Sequence, residues 1–180
     1  MPSLPLPELV RDGVVLRGLK ARDAGPFAAA FRDDPRLGSR IGAEDDPTEA
    51  DARRLILRMH RLRARGEFLG LAVSDVTRTP FLGHVMLHTF HWHHRRAEVG
   101  YWLVPQARGR RVGRAAVSML VDWAFETLPL ERIEMLTTPD NAPARALGLA
   151  LGFEEEGIMR GRNVERGRRV DILFAARLRK

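Results

Sequence analysis

Four arginines and two glycines crowd a short segment that follows an apolar stretch ending at Pro105. They are Arg108, Gly109, Arg110, Arg111, Gly113 and Arg114, with Val112 among them. A glycine-containing turn that opens a helix exposes unpaired backbone N–H groups at the positive end of the helix dipole, where phosphate groups bind. We therefore predict a site for a phosphate-bearing ligand at this turn.

This region lacks the commonest nucleotide-binding motifs, and its sequence resembles that of another family. A Walker loop and a Gly-x-Gly-x-x-Gly dinucleotide fingerprint are both absent. Residues 108–113 resemble the pyrophosphate loop of the GCN5-related N-acetyltransferases (GNAT), Gln/Arg-x-x-Gly-x-Gly/Ala. Residues 97–105 look like a strand of the ribosomal-protein N-terminal acetyltransferase branch, and residues 141–153 resemble its Asn…Leu-Gly-Phe block. A looser likeness runs from Val14 to Leu178.

This resemblance implies direct transfer of an acetyl group from acetyl-CoA, as co-substrate, to a primary amine. The protein or peptide N-terminal α-amine is the expected acceptor, since at pH 7 it has a larger neutral fraction than lysine. The strand backbone would open away from its neighbour and free N–H groups for the pantetheine arm and thioester oxygen. The residues expected to contact acetyl-CoA are Trp102, Leu103, Val104, Arg108, Gly109, Arg110, Arg111, Val112, Gly113, Arg114, Asn141 and Arg145.

Glu98 is a carboxylate inside an otherwise apolar strand, close in sequence to the predicted phosphate turn. An amine must lose a proton before it attacks a thioester, and a carboxylate near the reacting atoms can accept it, directly or through water. We predict that Glu98 is the catalytic base. The alternative is a structural ion pair with Arg95, Arg96 or an arginine of another strand.

Three positions depart from the family pattern. Arg111 stands where the motif has its first glycine, so either it adopts the turn and adds a phosphate contact or the loop is altered; we expect the first. Ala144 replaces a serine, and Gly148 occupies the place of a tyrosine proposed to protonate the thiolate. The sequence thus indicates no general acid, and its single tyrosine, Tyr101, is expected to pack. A thiol pKa near 8.5 makes the thiolate a fair leaving group without one.

Five histidines lie in or just after one predicted hairpin: His84, His88, His91, His93 and His94. His91 and His93 are predicted to share a strand face, but no carboxylate or cysteine completes a ligand set, so we predict no metal site. The histidines are expected to be solvated or to line the amine side. Residues 32–47 and 159–169 are expected to form the remaining walls, with Glu44, Asp45 and Asp46 attracting a cationic amine or simply solvated.

Three alternatives stay open from the sequence. The first is an acetyltransferase for small amines or antibiotics, and the second is a catalytically weak acyl-CoA-binding regulatory module. The third is a nucleic-acid binder, suggested by a net charge of +7. Only Lys20 and Lys180 among the 30 basic residues are lysines, which is typical of a coding bias, and nucleic acid is not the expected partner.

Composition indicates a single domain over residues 1–180, with residues 1–10 as a loose N-terminal arm. The chain has no cysteine, which excludes disulfides and fits a cytoplasmic protein. No stretch approaches the about 18 apolar residues of a membrane span. Exposed sheet edges in such a fold favour a homodimer.

Hydrophobic periodicity predicts an α/β fold with a mixed, mostly antiparallel central sheet flanked by helices. The resemblance implies in addition that the strands splay apart at the cofactor site. Asp23 is expected to cap the first helix and Thr48 to begin the second. The predicted strands are 14–17, 68–73, 81–90, 97–104, 132–137, 153–159 and 169–178. The predicted helices are 23–31, 48–66, 111–127 and 141–151.

Overall fold

The computed structural model describes residues 3–34, 37, 47–78, 80–165 and 167–180. The strands are β1 (Leu9–Arg11), β2 (Val14–Gly18), β3 (Leu69–Asp75), β4 (Gly83–His91), β5 (Arg96–Leu103), β6 (Arg132–Thr137), β7 (Glu154–Glu165) and β8 (Arg168–Leu178). The α-helices are α1 (Ala24–Asp33), α2 (Glu49–Ala64), α3 (Val112–Thr127) and α4 (Ala142–Ala150).

All eight strands form one sheet in the order β1-β2-β3-β4-β5-β6-β8-β7. Every neighbouring pair is antiparallel except β5 and β6, which run parallel. The predicted mixed, mostly antiparallel sheet is therefore confirmed, and each predicted helix and strand is present with its ends shifted by two residues or fewer, except that β7 continues to Glu165, six residues beyond the predicted end at Met159, as one arm of the hairpin with β8.

The N-terminal segment differs from the prediction. Residues 9–11 form the extra strand β1, which pairs with β2 across a turn at Asp12 and Gly13, both with positive φ. Leu4 is 2% exposed and its amide donates to the carbonyl oxygen of Arg63 at 3.1 Å. The expectation of a loose arm over residues 1–10 is thus wrong for residues 3–10, because an apolar side chain and the backbone hydrogen bonds hold them. The Asp-Gly pair between apolar runs was a signal for this hairpin.

Helices cover both faces of the sheet. On one face, α3 buries Ala116, Leu120 and Ala124 against β2 to β6, together with the turn after α4. On the other, α1 and α2 pack Phe27 and their other apolar residues around Trp102 of β5. Successive side chains of β5 point to opposite faces of the sheet. The strand therefore contributes side chains to both apolar layers.

The two predicted helix starts have different outcomes. Thr48 is confirmed as the N-cap of α2: its hydroxyl accepts from the Asp51 amide at 3.2 Å, and the Asp51 carboxylate accepts from the Thr48 amide at 3.0 Å. Asp23 does not cap α1 through its side chain. It ends a 3-10 turn, and its carboxylate forms a buried bidentate pair with Arg17 at 2.7 and 2.8 Å.

A search of the described helices for a membrane-spanning segment finds none of sufficient length and apolarity.

Candidate active site

Glu98 lies at the point where the central strands β5 and β6 separate. The parallel pairing covers only residues 96–98 of β5 against residues 132–134 of β6, and it ends at the pair Glu98 and Glu134. Beyond that pair β5 stays bonded to β4 as far as Leu103, while β6 stays bonded to β8 as far as Thr137. A wedge-shaped gap therefore opens in the middle of the sheet with Glu98 at its apex.

The surroundings of Glu98 exclude the structural ion pair with an arginine among the described residues. Arg95 pairs with Glu131 instead, and Arg96 pairs with Glu134 at 2.6 Å. The ionic partner that the fold gives Glu98 is His88, whose Nδ1 is 3.9 Å from Glu98 Oε2. The Glu98 side chain is 15% exposed. A substrate can therefore contact the carboxylate, although most of the side chain is shielded from solvent. Sequence reasoning grouped His88 with its neighbours and missed this contact, which depends on strand register.

The backbone of Trp102, Leu103 and Val104 does not behave uniformly. The Val104 amide donates to the Leu82 carbonyl oxygen at 3.0 Å, on the β4 side. The Leu103 carbonyl faces the other way and accepts from Arg108 Nη2 at 2.8 Å. Since consecutive strand residues alternate, Leu103 is the one of the three whose polar groups turn toward the gap. The expectation of a free N–H is therefore wrong for Val104.

The loop that leads from β5 into α3 has the conformation that the phosphate-site prediction requires. Gly109 has φ 71° and Arg111 has φ 61°. Arg111 is the N-cap of α3 in the left-handed conformation, and no side chain caps the helix. A Cβ at position 113 would lie 3.3 Å from the Tyr101 ring, so Gly113 lets the helix start approach β5 closely. Arg111 thus adopts the turn that the family motif gives to glycine.

Replacing Arg111 by glycine should stabilise the fold. A side chain in the left-handed region costs about 1 kcal/mol, which glycine does not pay. We expect Arg111→Gly to raise the free energy of unfolding by ~1 kcal/mol in a urea titration, while Arg111→Ala, which keeps a Cβ, leaves it nearly unchanged. Equal effects of the two substitutions would show that backbone strain at position 111 is absent.

Three of the four loop arginines are available to an anion. Arg110, Arg111 and Arg114 are exposed and make no side-chain hydrogen bond or ion pair with the described residues. They line one end of an open groove of about 1310 Å³ that runs along α3 toward the C-terminal part of β8. Arg108 is different, because its guanidinium is held by the Leu103 carbonyl and by Asp34. The groove does not reach Glu98.

The two predicted cofactor residues around α4 are engaged within the protein. Asn141 caps α4 by accepting from the Ala144 amide at 3.4 Å, and its Nδ2 donates to Thr137 Oγ1 at 2.9 Å. Arg145 donates to the Glu155 carboxylate at 2.9 and 3.1 Å. Asn141 therefore fixes the helix start beside the gap, as the N-cap interpretation requires, and Arg145 ties α4 to β7. Their contact with acetyl-CoA stays a prediction.

The two positions of α4 that depart from the family pattern, Ala144 and Gly148, are both packed inside the protein. Gly148 is buried, and a Cβ there would lie 3.4 Å from Met135 Sδ. Ala144 is 7% exposed in the same interface. Tyr101 is half-buried on the α3 face of β5, beside the helix start, so the prediction that it packs agrees with its position.

The histidines do not act as one group. His84 is buried among aromatic rings, and burial lowers its pKa to about 3. His91 ends β4, and His93 and His94 belong to the 3-10 turn after it, so the predicted shared strand face of His91 and His93 is wrong. Among the described residues no group of three ligands could hold a metal ion.

The predicted substrate walls are only partly described. Glu44, Asp45 and Asp46, with most of the loop 32–47, lie outside the described residues. The described residues of the range 159–169, which are 159–165 and 167–169, belong to the outer half of the β7–β8 hairpin at the sheet edge, and the groove along α3 does not include them.

Comparisons with known proteins agree with this architecture. Residues 14–154 match the family model "Acetyltransferase (GNAT) domain". The chain is 27% identical over 172 residues to "Putative ribosomal N-acetyltransferase YdaF" of Bacillus subtilis, covering 95% of this chain and 94% of the relative. It resembles the solved structure of a "Probable acetyltransferase" at 26% identity and a TM-score of 0.88, covering 96% and 97% of the two chains.

A second structure shares the fold at lower identity. The ribosomal L7/L12 alpha-N-protein acetyltransferase RimL, solved in complex with coenzyme A, matches at 16% identity and a TM-score of 0.86, over 94% of this chain and 96% of RimL. The family model spans more than half of the present chain, including β2 to β6 and the loop into α3. The chain therefore belongs to the GNAT acetyltransferase family, an acyltransferase family whose co-substrate is acetyl-CoA.

Proposed function

We propose that this protein transfers the acetyl group of acetyl-CoA to the N-terminal α-amine of a protein or peptide, with Glu98 as the base. The observation that carries this proposal is the end of the β5–β6 pairing at Glu98. A carboxylate at the apex of the gap would meet an acyl group that enters between the strands from the side of the phosphate loop.

The phosphate end of acetyl-CoA suits the start of α3. Its first three amides, from Val112 to Arg114, have no side-chain cap, and the helix dipole favours negative charge there. Arg110, Arg111 and Arg114 supply guanidinium groups without internal partners among the described residues. The pantetheine arm would then continue past Leu103, whose polar groups face the gap.

Acetyl-CoA supplies the activated thioester, and the residues of this chain manage the protons. An amine reaches the site mostly as R–NH₃⁺ and attacks only after it loses one proton. The Glu98 carboxylate accepts that proton. The second N–H proton leaves with the departing sulfur, so that the products are an amide and a thiol. No tyrosine on α4 is available to assist, since Gly148 occupies its place.

An α-amine is the acceptor that best fits a site with a carboxylate base and no tyrosine acid on α4. Its pKa of about 7.7–8.0 leaves a larger neutral fraction at pH 7 than the pKa of about 10.4 of a lysine side chain. YdaF and RimL carry names that refer to ribosomal proteins. We infer the same class of acceptor here, a protein N-terminus. The homodimer and the cytoplasmic location stay predictions.

Removing two of the free arginines should weaken acetyl-CoA binding. In isothermal titration we expect one acetyl-CoA per chain, and Arg110→Ala combined with Arg114→Ala should raise Kd about 10- to 100-fold, or ~1.4–2.7 kcal/mol. Arg108 is a poor choice, because its loss would also disturb Leu103 and Asp34.

The matched control is Arg58→Ala combined with Arg61→Ala. Both arginines are exposed on α2, and their replacement removes the same net charge as the test variant. It should leave Kd unchanged. No binding by the wild type, or equal weakening in both double variants, would contradict a phosphate site at α3.

A further inference from the structure

His88 of β4 stands directly across from Glu98 in the β4–β5 ladder. Its Nδ1 lies 3.9 Å from Glu98 Oε2, and its side chain is 34% exposed against 15% for Glu98. A Cβ at position 100 would lie 3.3 Å from His88 Nε2, so Gly100 leaves the room that the ring occupies. The imidazole is therefore the more solvent-exposed member of a pair whose carboxylate lies at the apex of the gap.

A β-bulge fixes the ring in this position. The register of β4 and β5 shifts between His88 and His91, and Thr89 within the shift has φ 51°. Positive φ is a genuine outlier for a β-branched residue, and such strain concentrates at functional sites. The Thr89 hydroxyl lies 2.8 Å from His88 Nδ1, the nitrogen that faces Glu98. The strained backbone thus orients the same ring atom that approaches the carboxylate.

The other charged groups near the pair are already neutralised. Across β6, the buried Glu134 is met by Arg96 at 2.6 Å and by Arg132 at 2.8 Å. Further along the same face of β4, His84 is fully buried, and its pKa of about 3 keeps it uncharged.

The helix over this face, α2, contributes two half-buried basic groups that have partners among the described residues: His60, whose Nε2 lies 3.2 Å from the Leu19 carbonyl oxygen, and Arg63, whose guanidinium donates to the Leu4 carbonyl oxygen. The pKa of His88 is lowered by its own burial, an effect that Glu98 opposes. At neutral pH His88 is therefore an uncharged imidazole that can accept a proton.

Proton balance requires an exit from this site. The overall reaction converts R–NH₃⁺ and a thioester to an amide, a thiol and one H⁺. The N–H bond of the ammonium breaks and an O–H bond forms on Glu98. That O–H bond must break again before the next turnover, and the proton must reach water. At 3.9 Å the pair is beyond direct hydrogen-bond distance, so the proposed transfer requires the Glu98 carboxylate to rotate toward the ring that Thr89 holds.

We infer that His88 is the residue through which Glu98 exchanges its proton with solvent, held for this task by Thr89. The inference rests on the proposed function. His88 acts through Glu98, as a positioning and proton-relaying residue. An imidazole suits this task, because its uncharged ring can take up a proton at one nitrogen and release it again to water.

The activity test compares His88→Gln with His91→Gln, an exposed histidine of the same strand. His88→Gln should lower kcat about 10- to 100-fold, with KM for acetyl-CoA unchanged. In His88→Gln the acidic limb of the pH profile of kcat should move to lower pH. The variant keeps only the carboxylate of the pair, and carboxylates ordinarily titrate below imidazoles. In His88→Ala, added imidazole should restore part of kcat. His91→Gln should match the wild type, and wild-type kcat and pH profile in His88→Gln would overturn the inference.

A second readout does not depend on catalysis. In NMR titration of the imidazole nitrogens, Glu98→Gln should lower the pKa of His88, because the carboxylate favours the imidazolium. An unchanged pKa of His88 would refute the pair even in an active enzyme. If the wild type acetylates no amine at all, the proposed function fails and the relay with it, whereas a shift in the pKa of His88 would still establish the pairing.

Discussion

Glu98→Gln should reduce kcat about 100- to 1000-fold while the Kd for acetyl-CoA stays within about twofold of the wild type. The amide keeps the size of the side chain but cannot accept a proton from the ammonium. Stopped-time measurements of thiol release, with acetyl-CoA and acceptor both saturating, report this loss in kcat.

The control for this experiment is Glu126→Gln, an exposed glutamate of α3 that makes no ion pair among the described residues. It should retain full activity. Full turnover in Glu98→Gln with normal acetyl-CoA affinity would remove Glu98 from the role of base.

Asp23→Asn should cost about 3–5 kcal/mol of stability, because it leaves a buried guanidinium without its counter-charge. The Arg17 and Asp23 side chains are 3% and 4% exposed. The pair joins β2 to the start of α1, on the same face as Trp102. Urea unfolding followed by circular dichroism measures the change.

The control is Glu49→Gln, which breaks an exposed pair with Arg53 and should cost less than about 1 kcal/mol. Comparable small losses in both variants would contradict a structural role for the buried pair.

The Asp23 carboxylate also makes the free energy of unfolding depend on pH in the acidic range. Burial raises the pKa of Asp23, but hydrogen bonds from Arg17 and from the Lys20 amide outweigh it and hold the pKa below its usual value. The folded-state pKa is thus lower than the unfolded one. The stabilisation is present in full above the unfolded value of about 3.9 and is lost as the pH falls through the folded value. Asp23→Asn should lack this part of the acid dependence.

The sequence is most informative where local pattern determines structure. The apolar stretch before Pro105, the glycines of the loop and the periodicity of α3 predict β5, the turn and the helix, and all three are present. The Thr48 cap is also local, since it depends on residues three apart. The hairpin of β1 and β2 could have been predicted from Asp12 and Gly13 but was not.

Contacts between distant elements could not be predicted in this way. Arg108 is the residue that opens the phosphate motif, yet its guanidinium pairs with Asp34 of the segment after α1. The partner of Val104 depends on where β4 begins. The approach of His88 to Glu98 depends on a register that a bulge at Thr89 then changes. Each of these contacts requires knowledge of tertiary packing or strand alignment, which composition and spacing do not contain.

The most direct test of the proposed function is acetyl transfer to a peptide that carries both a free α-amine and an internal lysine. After incubation with acetyl-CoA, fragmentation mass spectrometry locates the acetyl group, and polyamines and an aminoglycoside serve as competing acceptors. We predict acetylation of the α-amine in the wild type and its loss in Glu98→Gln. Acetylation of the lysine or the small amines alone would contradict the proposed acceptor, and binding of acetyl-CoA without transfer to any amine would contradict catalysis itself.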